Sequence, residues 1–240
     1  MEISQAVILV GGRGERLRPL TDNIPKPMVE VGGKPFLEYL ILLLKENGIK
    51  SILFLAGYLG NKIEDYFCDG SKWRVKIDYS FEEKPIGTGG AVRLAKGKLE
   101  KNFFLLFGDS YLAIDYRGMA KEYMGSKRKA MLAIYDNSNE TDVPFNVMID
   151  KSKEIVTVYN KRKDNPPSFK YCDAGVIAVD RQVVDLIEEK KFISFEEAIY
   201  PRIISEEGLG YYMAECRFYD IGTIQRFKVF EQYILKNAKK

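Results

Sequence analysis

The chain has 240 residues and not one histidine. That absence excludes Ser-His-Asp and Cys-His nucleophile systems and every zinc site that uses imidazole. Any catalysis must use carboxylates, lysine, arginine, hydroxyls, backbone N–H groups or a hard cation. Cysteine is also scarce. Cys68, Cys172 and Cys216 stand far apart, are odd in number and form no C-x-x-C pair, so neither a disulfide framework nor a thiolate zinc site is indicated. Reduced thiols in a cytoplasm are the simple expectation. An excess of one charge is missing too. Lys and Arg number 37 against 34 Asp and Glu, a net charge of +3, which argues against bulk nucleic-acid binding and makes any basic work local. No apolar run reaches the length of a membrane span, and no basic segment followed by an apolar one suggests a signal peptide. No membrane partner is therefore expected.

What remains is a composition suited to a folded core, 46% apolar and 30% charged, in a length that one α/β domain accommodates. Its organising stretch is Ala6-Val7-Ile8-Leu9-Val10 running into Gly11-Gly12-Arg13-Gly14-Glu15-Arg16-Leu17-Arg18. A short apolar run closed by glycines reads as a buried parallel strand. The glycines allow a sharp turn whose N–H groups face a ligand, and the arginines suit phosphate oxygens. A polyanion-binding loop at the end of the first strand is the inference. The loop is no P-loop, because no Gly-Lys-Ser/Thr follows. It is also an incomplete dinucleotide fingerprint, with Leu17 where a third glycine would stand.

Strand and helix patterns alternate after this loop. A helix is expected from 34 to 47 and a strand at 51–56. A short helix at 61–67, a strand at 75–81, and a glycine-rich loop at 87–90 leading a helix at 91–97 follow. A strand at 103–107, a helix capped by Asp115 and a strand at 130–135 complete the regular half. The second half reads as a hairpin of 145–149 with 155–159, a charged loop over 161–170 and a strand at 171–179. Helices at 181–189 and 195–205, a strand at 209–214 and a helix from Thr223 to 235 end the chain. The expected fold class is α/β, a single domain over 1–240 with a Rossmann-like mixed, mostly parallel sheet flanked by helices.

Ligands of open α/β sheets bind at the carboxyl ends of strands. The opening loop, Gly87 to Gly90, Gly108-Asp109 and Asp220-Ile221-Gly222-Thr223 all fall at such ends. Asp109 and Asp220 above a phosphate loop suit Mg²⁺, which takes one or two carboxylates plus substrate phosphates. Lys26 lies between Pro25 and Pro27, whose rings fix the chain around it and bias Lys26 toward extended geometry.

Taken together, Gly11-Gly12-x-Gly14-x-Arg16-Leu17-x-Pro19-Leu20-Thr21 and Pro25-Lys26-Pro27 resemble the signature of sugar-1-phosphate nucleotidyltransferases. Pro85-x-Gly87-Thr88-Gly89-Gly90, Gly108-Asp109, Lys161, Ala174-Gly175 and Asp220-Ile221-Gly222-Thr223 continue the resemblance along essentially the whole chain. The short form and the Gly-Thr-Gly-Gly-Ala element look most like the family's D-glycero-α-D-manno-heptose 1-phosphate guanylyltransferase branch.

The resemblance implies a nucleotide-diphospho-sugar transferase type fold, with a nucleotide-binding half at 1–135 and a sugar-phosphate-binding half at 136–240. It implies a nucleoside triphosphate and a sugar 1-phosphate as partners, with homo-oligomerisation left open. Leu9, Gly11, Gly12, Gly14 and Arg16 would hold the triphosphate, with Arg16 and Lys26 acting on the reacting phosphates. Glu82, Gly87 and Thr88 would meet the nucleoside. Asp109, Lys161, Asp173 and Gly175 would bind the sugar phosphate, and Asp109 with Asp220 would hold Mg²⁺. Two departures touch the sugar pocket: Asn160-Lys161 stands for the usual Glu-Lys, and Asp173-Ala174-Gly175 for Asn-Ala-Gly.

The implied reaction is in-line attack of the sugar phosphate on the α-phosphorus with loss of diphosphate. It needs no general base, only positioning and charge neutralisation. Guanine offers adjacent N–H donors that a Glu82 carboxylate would accept as a pair, which favours GTP. UTP, dTTP or CTP with glucose 1-phosphate or an amino-sugar 1-phosphate is the alternative. A non-catalytic nucleotide-sensing module on the same fold is the alternative of another class.

Overall fold

The computed structural model describes residues 3–139, 143–161, 165–188, 192–206 and 208–237. The chain begins with β1 (Gln5–Leu9), β2 (Glu30–Val31), β3 (Lys34–Pro35), α1 (Phe36–Glu46), β4 (Ser51–Ala56) and α2 (Gly60–Phe67). It continues with β5 (Lys76–Phe81), α3 (Gly87–Leu94), β6 (Asn102–Phe107), β7 (Ser110–Tyr111), α4 (Tyr116–Ser126) and β8 (Ala130–Asp136). The second half adds β9 (Val147–Asp150), β10 (Ile155–Tyr159), β11 (Tyr171–Asp180), α5 (Phe195–Glu206), β12 (Leu209–Ala214), β13 (Tyr219–Asp220) and α6 (Ile224–Asn237).

Nine strands form one sheet in the order β5-β4-β1-β6-β11-β8-β12-β10-β9. β5, β4, β1 and β6 pair in parallel. β11 then runs antiparallel to both β6 and β8, and β12 is parallel to β8. The expected hairpin is present as β9 and β10. This is the mixed, mostly parallel α/β sheet read from the sequence.

Alternation along β1 divides the core, because successive strand residues face opposite sides. Ala6 and Ile8 meet Leu40, Ile41 and Leu44 of α1 and Met119 of α4 in one buried cluster. Val7 joins Val92 of α3 and Ile199 and Ile203 of α5 in the other. Among the described residues no helix is long and apolar enough to cross a membrane.

Two expectations are corrected. Lys34-Pro35 is not helical; it pairs with Glu30-Val31, and α1 starts at Phe36. Gly87 to Gly90 is not a loop but the first turn of α3, which ends at Leu94. Arg181–Leu186 is helical as expected, as a 3-10 helix, and residue 189, where that helix was expected to end, lies outside the described residues. In the sheet, β11 from the second half lies between β6 and β8. Residues 162–164 of the expected charged loop also lie outside the described residues.

A third cluster ties α6 to the opening loop. Leu17, Val29, Val31, Phe36, Ile221, Phe227 and Phe230 are all buried together. Phe230 is fully buried, with the rings of Phe36 and Tyr111 at 4.8 and 5.2 Å. Leu17, where a dinucleotide fingerprint would have glycine, thus anchors the loop to the last helix. Phe230→Ala should destabilise the fold by about 3–5 kcal/mol through lost burial and the cavity left behind, read as a lower urea midpoint.

Candidate active site

The three opening glycines serve different purposes. Gly14 has φ +65°, and a Cβ there would stand 2.9 Å from the Lys26 Cβ. A side chain is thus excluded both by conformation and by space. The Thr21 hydroxyl donates to the Gly14 carbonyl at 2.8 Å and holds the turn. Gly11 allows close approach of the Glu82 carboxylate, whose Oε1 would lie 3.1 Å from an added Cβ. Gly12 faces open space. Beyond them Arg16 is exposed, and one of its amino nitrogens would stand 3.6 Å from a Cβ on Gly222, which brings it to the Asp220 turn.

Lys26 is the first residue of a 3-10 turn over Lys26–Met28, closed by the Met28 N–H on the Pro25 carbonyl at 2.8 Å. The extended geometry expected for Lys26 belongs to Pro25 instead. The side chain is buried and its ammonium donates to Asp109 Oδ2. Asp109 reaches this point because Gly108 passes over β1: its N–H donates to the Leu9 carbonyl at 2.9 Å, and a Cβ there would meet that oxygen at 2.7 Å. Burial pushes the Asp109 carboxyl upward, but the Lys26 charge and hydrogen bond, with the Arg16 charge, outweigh it and hold it below the ordinary value.

Asp220 comes alongside through β13, which pairs with β7 so that Asp220 faces Ser110. The Ile221 N–H donates to the Asp109 carbonyl at 3.0 Å. Both Asp220 carboxylate oxygens accept from Arg226 Nη1 at 2.9 Å, and Oδ1 also accepts the Gly222 N–H at 2.6 Å. Thr223 caps α6 as expected, accepting the Arg226 N–H at 3.3 Å.

A cavity of about 430 Å³ opens beside Lys26 and Asp109, with Leu9, Gly11, Gly12, Glu82, Gly87 and Thr88 also on its wall. Gly14, Arg16, Asp220, Lys161, Asp173 and Gly175 lie outside that wall. A larger groove of about 890 Å³, between α4 and β12, holds none of the expected site residues. On the cavity wall, Glu82 is half-buried, and Oε2 accepts the Ile86 N–H at 3.2 Å. Burial raises its carboxyl and the Ile86 hydrogen bond opposes the rise.

The glycines of α3 answer to the chain rather than to phosphate. A Cβ on Gly87 would meet the Ile193 carbonyl oxygen at 2.4 Å. The Gly89 N–H donates to that oxygen at 2.8 Å, and the Ile193 N–H to the Ile86 carbonyl at 3.0 Å. This strap sets Phe192, 74% exposed, on the cavity wall. It also leads into Glu196, a buried carboxylate that accepts from the Thr88 hydroxyl at 2.6 Å and from the Lys161 ammonium at 3.1 Å. Sequence reasoning missed Phe192, Glu196 and Arg226. Nothing in the sequence separates Glu196 from Glu197, since both are carboxylates in a first helical turn, where they are ordinarily placed.

Asp173 and Gly175 sit at an irregularity where β11 slips register against β8 between Asp173 and Ile177. Gly175, at φ +81°, passes Ser110 so closely that a Cβ would stand 2.8 Å from the serine Cβ. Gly175 is thereby brought against the residue that follows Asp109. Asp173 Oδ1 accepts the Gly175 N–H at 2.8 Å.

The donor chemistry at the strand tips fits a hard cation. Asp109 Oδ1 meets the Ser110 hydroxyl at 3.5 Å, and Asp220 Oδ2, on the neighbouring strand, accepts from Arg226 and keeps a second lone pair. Among the described residues no group of three or more His, Cys, Asp or Glu surrounds an ion, so other ligands would be water and phosphate, as Mg²⁺ prefers.

Comparison with known proteins bears on the chain as a whole. A family model described as "Nucleotidyl transferase" matches residues 5–237. The D-glycero-alpha-D-manno-heptose 1-phosphate guanylyltransferase of Aneurinibacillus thermoaerophilus is 28% identical, over 91% of this chain and 93% of its own. The enzyme of the same name from Campylobacter jejuni subsp. jejuni serotype O:2 is 30% identical, over 98% and 87%. The crystal structure of HddC from Yersinia pseudotuberculosis complexed with GMP-PN superposes with a TM-score of 0.79 at 26% identity, covering 98% of this chain and 100% of that one. The resemblance carried by the glycine loop, Lys26 and Asp109 is that of the whole chain, which belongs to the nucleotidyl transferase family.

Proposed function

We propose that the chain transfers a guanylyl group from GTP to a sugar 1-phosphate, with D-glycero-α-D-manno-heptose 1-phosphate as the acceptor. The observation that carries this reading is the Lys26–Asp109 pair, on a cavity whose wall also holds the glycine loop and Glu82. The relatives named for that reaction, aligned over nearly their full length, support the choice of base and sugar.

An oxygen of the sugar phosphate attacks the α-phosphorus; the bond from that phosphorus to the β-phosphate oxygen breaks, and diphosphate leaves with the electron pair. Both reactants are anions, so the protein's task is to align them and offset their repulsion. Gly11, Gly12 and Gly14 shape the loop around the triphosphate, and Arg16 and Lys26 supply cationic donors. Lys161 binds the incoming phosphate. Bound Mg²⁺, held by Asp109 and Asp220, would add charge stabilisation at the phosphates. Glu82 reads the base. Each carboxylate oxygen accepts two hydrogen bonds, so the Ile86 N–H leaves room for guanine N1–H and N2–H. Leu9, Gly87 and Thr88 line the same cavity. We place the reaction in the cytoplasm, feeding an activated sugar to polysaccharide synthesis.

The sugar side contains Asp173, whose carboxyl is raised from 3.8 to about 7. Burial drives the rise and the Glu196 charge adds to it; the Gly175 N–H, the Lys161 charge and the Tyr200 hydroxyl oppose it. A carboxyl raised by folding holds its proton better in the folded chain. The associated stability is present below the unfolded value and is lost as pH rises toward the folded one.

Diphosphate release across GTP, ATP, UTP, dTTP and CTP, each with heptose, mannose and glucose 1-phosphates, tests the reaction. Turnover should be highest with GTP and a manno-configured acceptor; turnover with UTP alone would remove the guanine reading. Lys26→Ala and Asp109→Ala should each lower turnover by about a hundredfold or more, as loss of a charge-stabilising group does; near-normal rates would take that residue out of its role. Urea denaturation from pH 4 to 8 should show Asp173→Asn more stable than the natural chain at pH 8, with the advantage shrinking toward pH 4. Parallel pH profiles would contradict the buried-acid assignment.

A further inference from the structure

We infer that Glu196 is a positioning residue: it fixes the Lys161 ammonium to the first turn of α3 and so couples recognition of the sugar 1-phosphate to the nucleotide wall. The inference rests on the transfer reaction proposed above.

Glu196 stands in the first turn of α5 with only 2% of the residue exposed. An ionised carboxylate that deeply buried is costly unless it is paired and hydrogen-bonded. Its two oxygens divide the work. Oε1 takes the Lys161 ammonium at 3.1 Å, and Oε2 takes the hydroxyls of Thr88 at 2.6 Å and Ser194 at 3.0 Å. The Thr88 oxygen already accepts the Phe195 N–H at 2.8 Å, so its own proton is directed to Glu196. The carboxylate is thereby clamped from α3 and from its own helix.

Lys161 is the opposite kind of residue. Its side chain is 51% exposed, against 3% for that of Glu196. A lysine stem is flexible, and its ammonium is a point charge without a preferred direction. Tied to a buried, clamped carboxylate, the ammonium has one location, at Glu196 Oε1. Glu196 itself is too enclosed to touch a substrate, so its effect on the sugar phosphate passes through Lys161. Thr88 is on the cavity wall, and contact of the nucleoside with that turn therefore bears on the same carboxylate.

Steady-state kinetics on a double-mutant cycle tests this. Glu196→Gln keeps an acceptor for Thr88 and removes the ion pair. It should raise KM for the sugar 1-phosphate about tenfold, a coupling of ordinary size for contacting charged groups, while KM for GTP changes less than about twofold. In a Lys161→Met background the same substitution should leave KM for the sugar phosphate within about twofold, because the two act as a unit. Glu196→Asp, which retains the charge, should fall between the natural chain and Glu196→Gln, and it carries the test if the glutamine variant does not fold. Equal rises in both KM values, or effects that multiply independently of Lys161, would overturn the role, as would a lowered Tm with both KM values unchanged. Absence of diphosphate release by the natural chain under every nucleotide would instead overturn the reaction, and this role with it.

Discussion

The Lys26–Asp109 pair is the contact on which the site depends. It joins the loop after β1 to the tip of β6 across the mouth of the cavity. A buried lysine is stable as a cation only with a partner in place, and Asp109, a third exposed by its side chain, supplies it. The neighbouring backbone is shaped to permit this contact. Gly14 leaves space for the Lys26 stem, Gly108 lets the chain cross Leu9, and Ile221 donates to the Asp109 carbonyl. The pair is neutral as a unit.

The other half of the site is organised from a distance. β11 enters the sheet between β6 and β8 and brings Gly175 beside Ser110. The segment before α5 straps itself to α3 through Ile193 and delivers Glu196 to Thr88 and Lys161. Lys161, expected to bind sugar phosphate, and Thr88, expected to meet the nucleoside, are thus joined through Glu196, although they come from different halves of the chain.

What the sequence revealed was local. The spacing of Gly11, Gly12 and Gly14 after an apolar run, the prolines around Lys26 and the Gly108-Asp109 strand ending all carry their meaning within a few residues. So do the Asp115 and Thr223 caps. The errors lie where meaning is non-local. Gly87 to Gly90 has the composition of a phosphate loop, but its glycines admit the Ile193 backbone, and a close approach by protein leaves the same sequence mark as one by a ligand. The insertion of β11 depends on strand pairing between distant segments. Arg226, which occupies both oxygens of Asp220, is one arginine among many on a helix until the β7–β13 pairing sets Asp220 against it. Leu17 reads as a defect in one motif and is a buried anchor in the fold.

The central claim is that this pocket holds a guanosine triphosphate with its phosphates on the opening loop and its base at Glu82. A crystal structure of the chain with a non-hydrolysable GTP analogue, Mg²⁺ and a sugar 1-phosphate tests it most directly. The account predicts the triphosphate against Gly11 to Arg16 and Lys26, the guanine edge paired with the Glu82 carboxylate, and the sugar phosphate at Lys161. A nucleotide bound elsewhere, or a base turned away from Glu82 with its phosphates off the glycine loop, would contradict it.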